Sequence, residues 1–402
     1  MKKVLYIVSR LPTSYAGREY MINQNIRFLL EGEVKVDIAH FDENKKKCDK
    51  KNHIQMPKPH PLEILFNGIF RWKFSFQERL FYSARAKKMV AKLIRENNYD
   101  LVLVDMVRMA YLVEEEKVKK ILEYDDLLSL RYKRMVSSFS DNIDLLGTYS
   151  EKYPSFFATI VKPFRKMILS MESSLIGNRE VVLSRKFNKL SFTSPLEASL
   201  FKESTGLENI FFNPPCVPEN VFTEKLLDED NYYVFVGNLK ANHNLACLRE
   251  ISNIFATENL KNENIKIYVY GDYDQRAIDL CASSNQIILK GMVEDISSAL
   301  STAACLIAPI PFGSGIKVKV VEAMSYGVAV ITNSIGVEGI GVTAGVEYIE
   351  CNDSNEFANK IIELRYSPEE LQQIGARGRS YVMNNFSEGK VRINFLKNIE
   401  IL

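Results

Sequence analysis

The sequence predicts an α/β protein of two doubly wound, Rossmann-like domains. Three observations carry this. The chain has 402 residues, more than one hydrophobic core usually serves, since domains run to roughly 100–200 residues. Its short apolar runs are continuous and β-branched rather than alternating, as strands buried on both faces are. Longer amphipathic stretches separate those runs, and the rhythm restarts in the second half, which is the pattern of parallel strands joined by crossover helices.

In the first half, 4–8 (VLYIV) reads as a strand. A loop containing Gly17 follows, then a helix near Glu19–Leu30. Residues 34–41, 101–106 and 120–125 read as further strands. Lys45–Pro61 is polar, basic and proline-containing, and reads as a loop. Leu207–Asp230, with Asn213-Pro214-Pro215 and an acidic run, reads as a linker. Strands are then expected at 232–237, 265–271, 287–291, 305–310, 328–333 and 346–350. Pro368–Leu402 reads as more than one helix, with a break near Asn384–Gly389.

Composition narrows the function classes. The chain is 46% hydrophobic and 25% charged, with a net charge of +2. No bulk field draws it to nucleic acid, so anion affinity must come from local sites. Cys48, Cys216, Cys247, Cys281, Cys305 and Cys351 form no CxxC pair, which fits a reducing cytoplasm. The run Val4–Val8 is too short for a signal-peptide core. No apolar run reaches the ~18 residues of a membrane-spanning helix.

The segment 305–333, CLIAPIPFGSGIKVKVVEAMSYGVAVITN, is the most informative. It reads as a buried strand ending near Pro309, a glycine-rich loop, a helix from Ile316 to Tyr326 stopped by Gly327, and a second buried strand. Gly313 and Gly315 allow positive φ and close approach of a ligand. The first N–H groups of the helix have no internal partners. At the carboxyl end of a strand these make an anion site, suited to a diphosphate, and Lys317 and Lys319 add charge beside it. Glu322 stands in an otherwise apolar helix. Its carboxylate would accept hydrogen bonds from a ribose or sugar diol, or would pair with Lys319 one turn earlier.

This segment, continued through SIGVEGI, resembles the donor-site signature of retaining glycosyltransferases of the GT-B fold, the glycosyl transferases group 1 superfamily. FVGNLKANHN (235–244), VYGD (269–272) and LKGMVEDI (289–296) resemble the family's other landmarks, in order. SPLEASLF (194–201) and NPPCVPENVF (213–222) fit the approach to its linker. ILEYDDLLSLRYKRM (121–135) resembles the acceptor-domain segment of bacterial surface-polysaccharide transferases.

The resemblance implies two Rossmann-like domains facing a central cleft. Residues 1–210 would form the acceptor side and 211–385 the nucleotide-sugar side, with a helix over 386–402 returning to the first domain. Glu322 would bind ribose hydroxyls. Gly313, Ser314, Gly315, Ile316 and Lys317 would face the diphosphate and sugar. Gly291, Met292 and Val293 would face the base, and Gly17 would lie across the cleft from the diphosphate. The donor would be a UDP- or GDP-linked sugar and the acceptor a glycan or lipid-linked saccharide. Retention of configuration is implied, without a metal or other cofactor.

Three departures from the family pattern stand out. Ser314 occupies the position eight before Glu322 where many relatives carry a second glutamate. Asn238 and His243 stand where relatives carry an Arg and a Lys after Gly237, so that Lys240, or Lys317 with Lys319, would meet the diphosphate. Asp125-Asp126 stands where several relatives have a His. Asp125 would orient the donor sugar or an acceptor hydroxyl, or would cap a helix. Asp272-Tyr273-Asp274 has the letters of a metal-binding DxD but reads as a loop.

Phe70, Trp72, Phe74, Phe76 and Phe81 interleave with bases between Arg71 and Arg95. This stretch would either touch an anionic membrane peripherally or form a solvated face with its aromatics in the core. The stretch 156–171 reads the same way. The alternatives to a transferase are a sugar-nucleotide epimerase of the same fold and a non-catalytic binding subunit. A dinucleotide oxidoreductase is disfavoured, because SRLPTSYAG, not G-x-G-x-x-G, follows the first strand.

Overall fold

A computed structural model describes residues 1–12, 17–42, 53–137, 164–217, 232–293 and 295–400. The chain divides into two compact units. The first comprises Met1–Lys133, Met167–Pro215 and Gly389–Leu402, and the second Arg134–Lys166 and Cys216–Glu388.

The first unit begins with β1 (Lys3–Ile7), α1 (Gly17–Glu31), β2 (Lys35–His40) and β3 (His53–Gln55). Three helices follow: α2 (Pro61–Phe70), α3 (Phe76–Phe81) and α4 (Ala84–Asn97). Then come β4 (Leu101–Asp105), a short 3-10 helix (Val107–Leu112), β5 (Lys120–Asp125), α5 (Leu128–Ser137) and α6 (Arg165–Ser184). The unit's sheet is completed by β6 (Lys189–Phe192), α7 (Pro195–Thr205) and β7 (Ile210–Phe212). Seven strands make one parallel sheet in the order β3-β2-β1-β4-β5-β6-β7. Every residue of β4 is buried, as a central parallel strand covered by helices on both faces must be.

The second unit alternates in the same way. Its elements are β8 (Tyr233–Val236), α8 (Asn242–Phe255), β9 (Ile267–Tyr270), α9 (Gln275–Cys281), β10 (Ile287–Gly291), α10 (Ile296–Thr302), β11 (Cys305–Ala308), α11 (Val318–Ser325), β12 (Ala329–Thr332) and β13 (Ile349–Glu350). The sheet is parallel, in the order β10-β9-β8-β11-β12-β13. Helices α12 (Ser354–Arg365), α13 (Pro368–Phe386) and α14 (Glu388–Asn398) end the chain. Only Ser387 separates α13 from α14, and there the chain leaves the second unit. Phe395 of α14 lies 6.1 Å from the Phe28 ring of α1. Arg392 pairs with Glu31 at 2.7 Å, and Glu400 accepts from Lys189 at 2.9 Å.

The elements differ from the sequence reading in several places. β3 lies within the stretch read as a loop, whose residues 45–52 fall outside the described ones. β7 lies at the front of the stretch read as a linker, whose residues 218–230 are likewise outside. Both strands are three residues long, too short for periodicity to separate from coil. β6 was also unread. The helix after the glycine-rich loop is shorter than expected, with Lys317 at its amino-terminal cap and Tyr326 at its carboxyl cap. Five cysteines are buried free thiols, and Cys48 lies outside the described residues. No described helix is long and apolar enough to cross a membrane.

Candidate active site

In a doubly wound sheet ligands sit beyond the carboxyl ends of the strands, where the strand order reverses. In the second unit that reversal falls between β8 and β11, and the glycine motifs collect there. Gly237 ends β8, Gly271 ends β9, Gly291 ends β10, and the 309–317 loop follows β11. These ends are tied together. Gly237 donates to the Tyr270 carbonyl at 2.9 Å, and Gly271 donates to the Gly291 carbonyl at 2.8 Å. A side chain at Gly271 would stand 2.0 Å from the Gly237 carbonyl oxygen, so two backbones occupy the space a Cβ would need.

The 313–317 loop turns on Gly313 (φ 150°) and Gly315 (φ 68°), conformations open to glycine. Ile316 is buried and anchors the loop on the core. No side chain caps α11, which leaves its first N–H groups uncapped beside the loop. The Lys317 ammonium folds over the loop and donates to the carbonyls of Gly315 (2.7 Å) and Ser314 (3.4 Å). Lys319 points elsewhere. It donates to Asn244 Oδ1 at 2.6 Å and lies 4.2 Å from the centre of the Phe235 ring. Asn244 in turn donates to the Asn238 carbonyl at 2.9 Å. Lys319 thus ties α11 to α8 across the strand-order reversal, and burial lowers its pKa.

The pairing of Glu322 with Lys319 is therefore not formed. No hydrogen bond or ion pair reaches the Glu322 carboxylate among the described residues. Burial, with the nearby Asp295 charge, raises its pKa to about 7. A carboxylate kept at that cost without a protein partner is placed to receive donors from elsewhere.

The remaining expected donor-side residues are spread around these strand ends. Lys240 pairs with Asp272 at 2.7 Å. Asp274 caps α9 by accepting from the Arg276 amide at 3.0 Å. Met292 is 80% exposed, Val293 is half-buried beside it, and His243 is exposed on α8. Among the described residues no group of three or more His, Cys, Asp or Glu is arranged to hold a metal ion.

The first unit has its own strand-order reversal, between β1 and β4. Gly17 opens α1 with φ 55°. The next residue, Arg18, reaches three carboxylates: Asp105 at 2.6 Å, Glu123 at 2.7 Å and Asp125 at 3.2 Å. Glu123 also accepts from Tyr6 at 2.5 Å and Asn25 at 2.7 Å. Burial raises the pKa of Glu123 and of Asp125, against the opposing pull of Arg18.

Asp125 sits at φ 67°, a left-handed conformation costly for a residue with a side chain. It coincides with an irregularity in the β5–β6 register. Asp125 does not cap α5. The amides at that end are taken by other carboxylates, Leu127 by Glu197 (3.3 Å) and Ser129 by Glu180 (3.2 Å). Asp126 instead accepts from Arg131 at 2.7 Å. Arg18, Asp105 and Glu123 were not singled out from sequence. The aspartate closing LVLVD, and the glutamate inside the apolar run KILEYD, were the available signal.

The basic-aromatic stretch resolves into two parts. Phe74 and Phe81 pack against the first core and Phe76 is half-buried, whereas Phe70 and Trp72 are exposed. Residues 156–163 of the second stretch lie outside the described ones.

Comparison with known proteins agrees with this geometry. Residues 230–366 match the family Glycosyl transferases group 1. A Klebsiella pneumoniae protein described as an uncharacterized 44.6 kDa protein in the cps region is 26% identical over 263 residues. That match covers 61% of this chain and 64% of the relative, just under two thirds of its length. The sucrose-phosphate synthase of Thermosynechococcus elongatus superposes with a TM-score of 0.71 at 15% identity, over 99% of this chain and 98% of its own. Anabaena HepE in complex with UDP-glucose superposes with a TM-score of 0.65 at 13% identity, over the whole of both chains. The chain thus has the GT-B fold, and its residues 230–366 match the Glycosyl transferases group 1 family.

Proposed function

We propose that this protein transfers a sugar from a UDP-linked donor to a glycan or lipid-linked saccharide, with retention of configuration, in surface-polysaccharide assembly. The observation that carries this reading is Glu322: a half-buried, unpartnered carboxylate beside an uncapped helix start and a glycine loop at the strand-order reversal. A ribose diol would supply the missing donors. The diphosphate would lie against the 313–316 backbone and the α11 amides. Breaking the anomeric C–O bond places negative charge on that diphosphate, and preorganised N–H groups and an ammonium stabilise such charge. Lys317 would supply the ammonium by turning from its loop carbonyls to the leaving group. We therefore read the reaction as metal-independent. Gly291, exposed Met292 and half-buried Val293 would border the base, and Gly17 would approach the diphosphate. Lys319 and Lys240 serve this reading as positioning residues, because both ammonium groups bond within the protein.

Asp125, held by Arg18 in a strained conformation, would receive a hydroxyl of the sugar or acceptor. The polysaccharide role is supported by the cps-region relative, and UDP by the ligand of the HepE structure. With a lipid-linked acceptor, the protein would work in peripheral contact with the cytoplasmic membrane face.

The test is thermal unfolding with UDP, GDP, CDP, ADP and dTDP, for wild type and Glu322→Ala. A ligand at a hundredfold excess over its Kd adds about 2.7 kcal/mol. UDP is expected to raise the wild-type midpoint and to leave that of Glu322→Ala unmoved. A midpoint that no diphosphate moves, with or without Mg²⁺, would overturn the donor-site assignment.

A further inference from the structure

Helix α2 is built the wrong way round for a soluble protein. A surface helix normally turns its apolar stripe to the core and its polar face to water. Here Leu62, Leu65, Phe66, Ile69 and Phe70, spaced i, i+3, i+4, i+7 and i+8, are 53–70% exposed. The polar residues face the protein. Asn67 is buried and donates to the carbonyls of Tyr82 (3.0 Å) and Arg79 (3.2 Å). Glu63 accepts from the Ala84 amide at 2.7 Å. These bonds fix the helix in an orientation that turns its apolar stripe outward. Trp72, 67% exposed, extends the stripe beyond the helix end, and Phe66 stacks on Phe70 at 4.4 Å.

We infer that α2 and Trp72 form the surface by which this protein lies on an anionic phospholipid bilayer, the apolar stripe entering the headgroup–acyl boundary. Charge selects this occupant. Residues 58–95 contain nine Lys and Arg against two Asp and Glu. Those two acids are engaged inward: Glu63 with Ala84, and Glu78 with Arg179 at 2.8 Å. Exposed Lys58 and Lys73 bracket the stripe. A second copy docking on the same face by a two-fold would bring two basic rims together. Anionic headgroups complement them. A tryptophan at the end of an apolar stripe suits the interface, where an amphipathic ring has one wet and one dry edge.

The inference deepens the membrane contact proposed above and rests on it. It also corrects that contact's location, from 71–95 to 62–72, because Phe74 and Phe81 belong to the core.

The experiment is flotation of the full chain with vesicles of phosphatidylcholine, alone and mixed with phosphatidylglycerol. Wild type, the double variant Leu65→Ser with Phe66→Ser, and Trp72→Ala are compared. Wild type is expected to float with the anionic vesicles, less with the neutral ones, and less as salt rises. The double variant should partition at least about tenfold less, and Trp72→Ala should fall between. All positions are exposed, so the unfolding midpoint and its response to UDP should remain as in wild type. That response keeps failure of the donor site apart from failure of this surface. Absence of flotation on anionic vesicles, or flotation unchanged in the double variant, would overturn the inference. A concentration-dependent dimer that the double variant abolishes, without flotation, would assign the face to a second copy.

Discussion

Replacing Glu322 with glutamine should make the ligand-free protein more stable at alkaline pH while ending its response to UDP. Glutamine keeps the shape and removes the charge. The Glu322 carboxyl titrates at about 7, pushed up by burial and then by Asp295, whereas an unfolded chain ionises a glutamate near 4.3. Between those values the folded state holds the extra proton, so this residue's contribution to stability is complete below about pH 4 and is lost as pH rises through about 7. Above that the carboxylate is ionised in both states and costs the fold roughly 2–4 kcal/mol. For a unit of this size 1 kcal/mol moves the midpoint by about 2–4 °C. At pH 8, Glu322→Gln should melt about 5–10 °C above wild type, and the gap should close towards pH 4. Calorimetry at several pH values, with and without UDP, reads both effects. A variant no more stable than wild type at pH 8, or one whose advantage is independent of pH, would refute the claim that an unpaired carboxylate is held there.

Two further substitutions probe the strand ends. Arg18→Leu would leave Asp105, Glu123 and Asp125 buried without their common counter-ion, and should cost about 3–5 kcal/mol. Denaturant unfolding should show the loss to be smaller at pH 5 than at pH 8, because protonating the acids relieves their repulsion. Gly271→Ala places a Cβ against the Gly237 carbonyl oxygen, backbone against backbone, at φ 140°. It should destabilise the second unit by at least about 3 kcal/mol, seen as a lower midpoint and a lost response to UDP.

The parallel sheets were legible because their strands are continuous apolar runs, and most of the expected strands fall within a residue or two of the observed ones. What stayed hidden was short or non-local. Ile210–Phe212 becomes a strand because β6 lies alongside to pair with it, not because three residues carry a period. The glycine loop and Glu322 were visible as a local pattern. The destinations of the two lysines were not. Lys319 is drawn away from Glu322 by Asn244, seventy-five positions earlier in the chain, and no spacing rule reaches that far. Helix α2 stayed hidden for a different reason. Its apolar stripe has the period of a core-facing helix, and only the inward hydrogen bonds of Asn67 and Glu63 reveal that the stripe faces out.

The two sheets share the strand order 3-2-1-4-5-6, with one more strand at the edge of the first, and each gathers chemistry at its reversal point. What differs is the residue type delivered there. In the second unit the strand ends are glycines, so backbone N–H groups lie close to any guest, and among the described residues the Glu322 carboxylate stands without a protein partner. That suits a polyanion with a diol. In the first unit the same positions deliver Arg18 and three acids, a cluster carrying more negative than positive groups, in which burial favours retention of a proton on Glu123 or Asp125. Such a cluster accepts hydroxyl donors. On the proposed reading, a shared strand order with different electrostatics divides the work between the units. On that reading the nucleotide belongs to residues 230–366, and Asp125 is the group to test against a neutral saccharide rather than against a nucleotide.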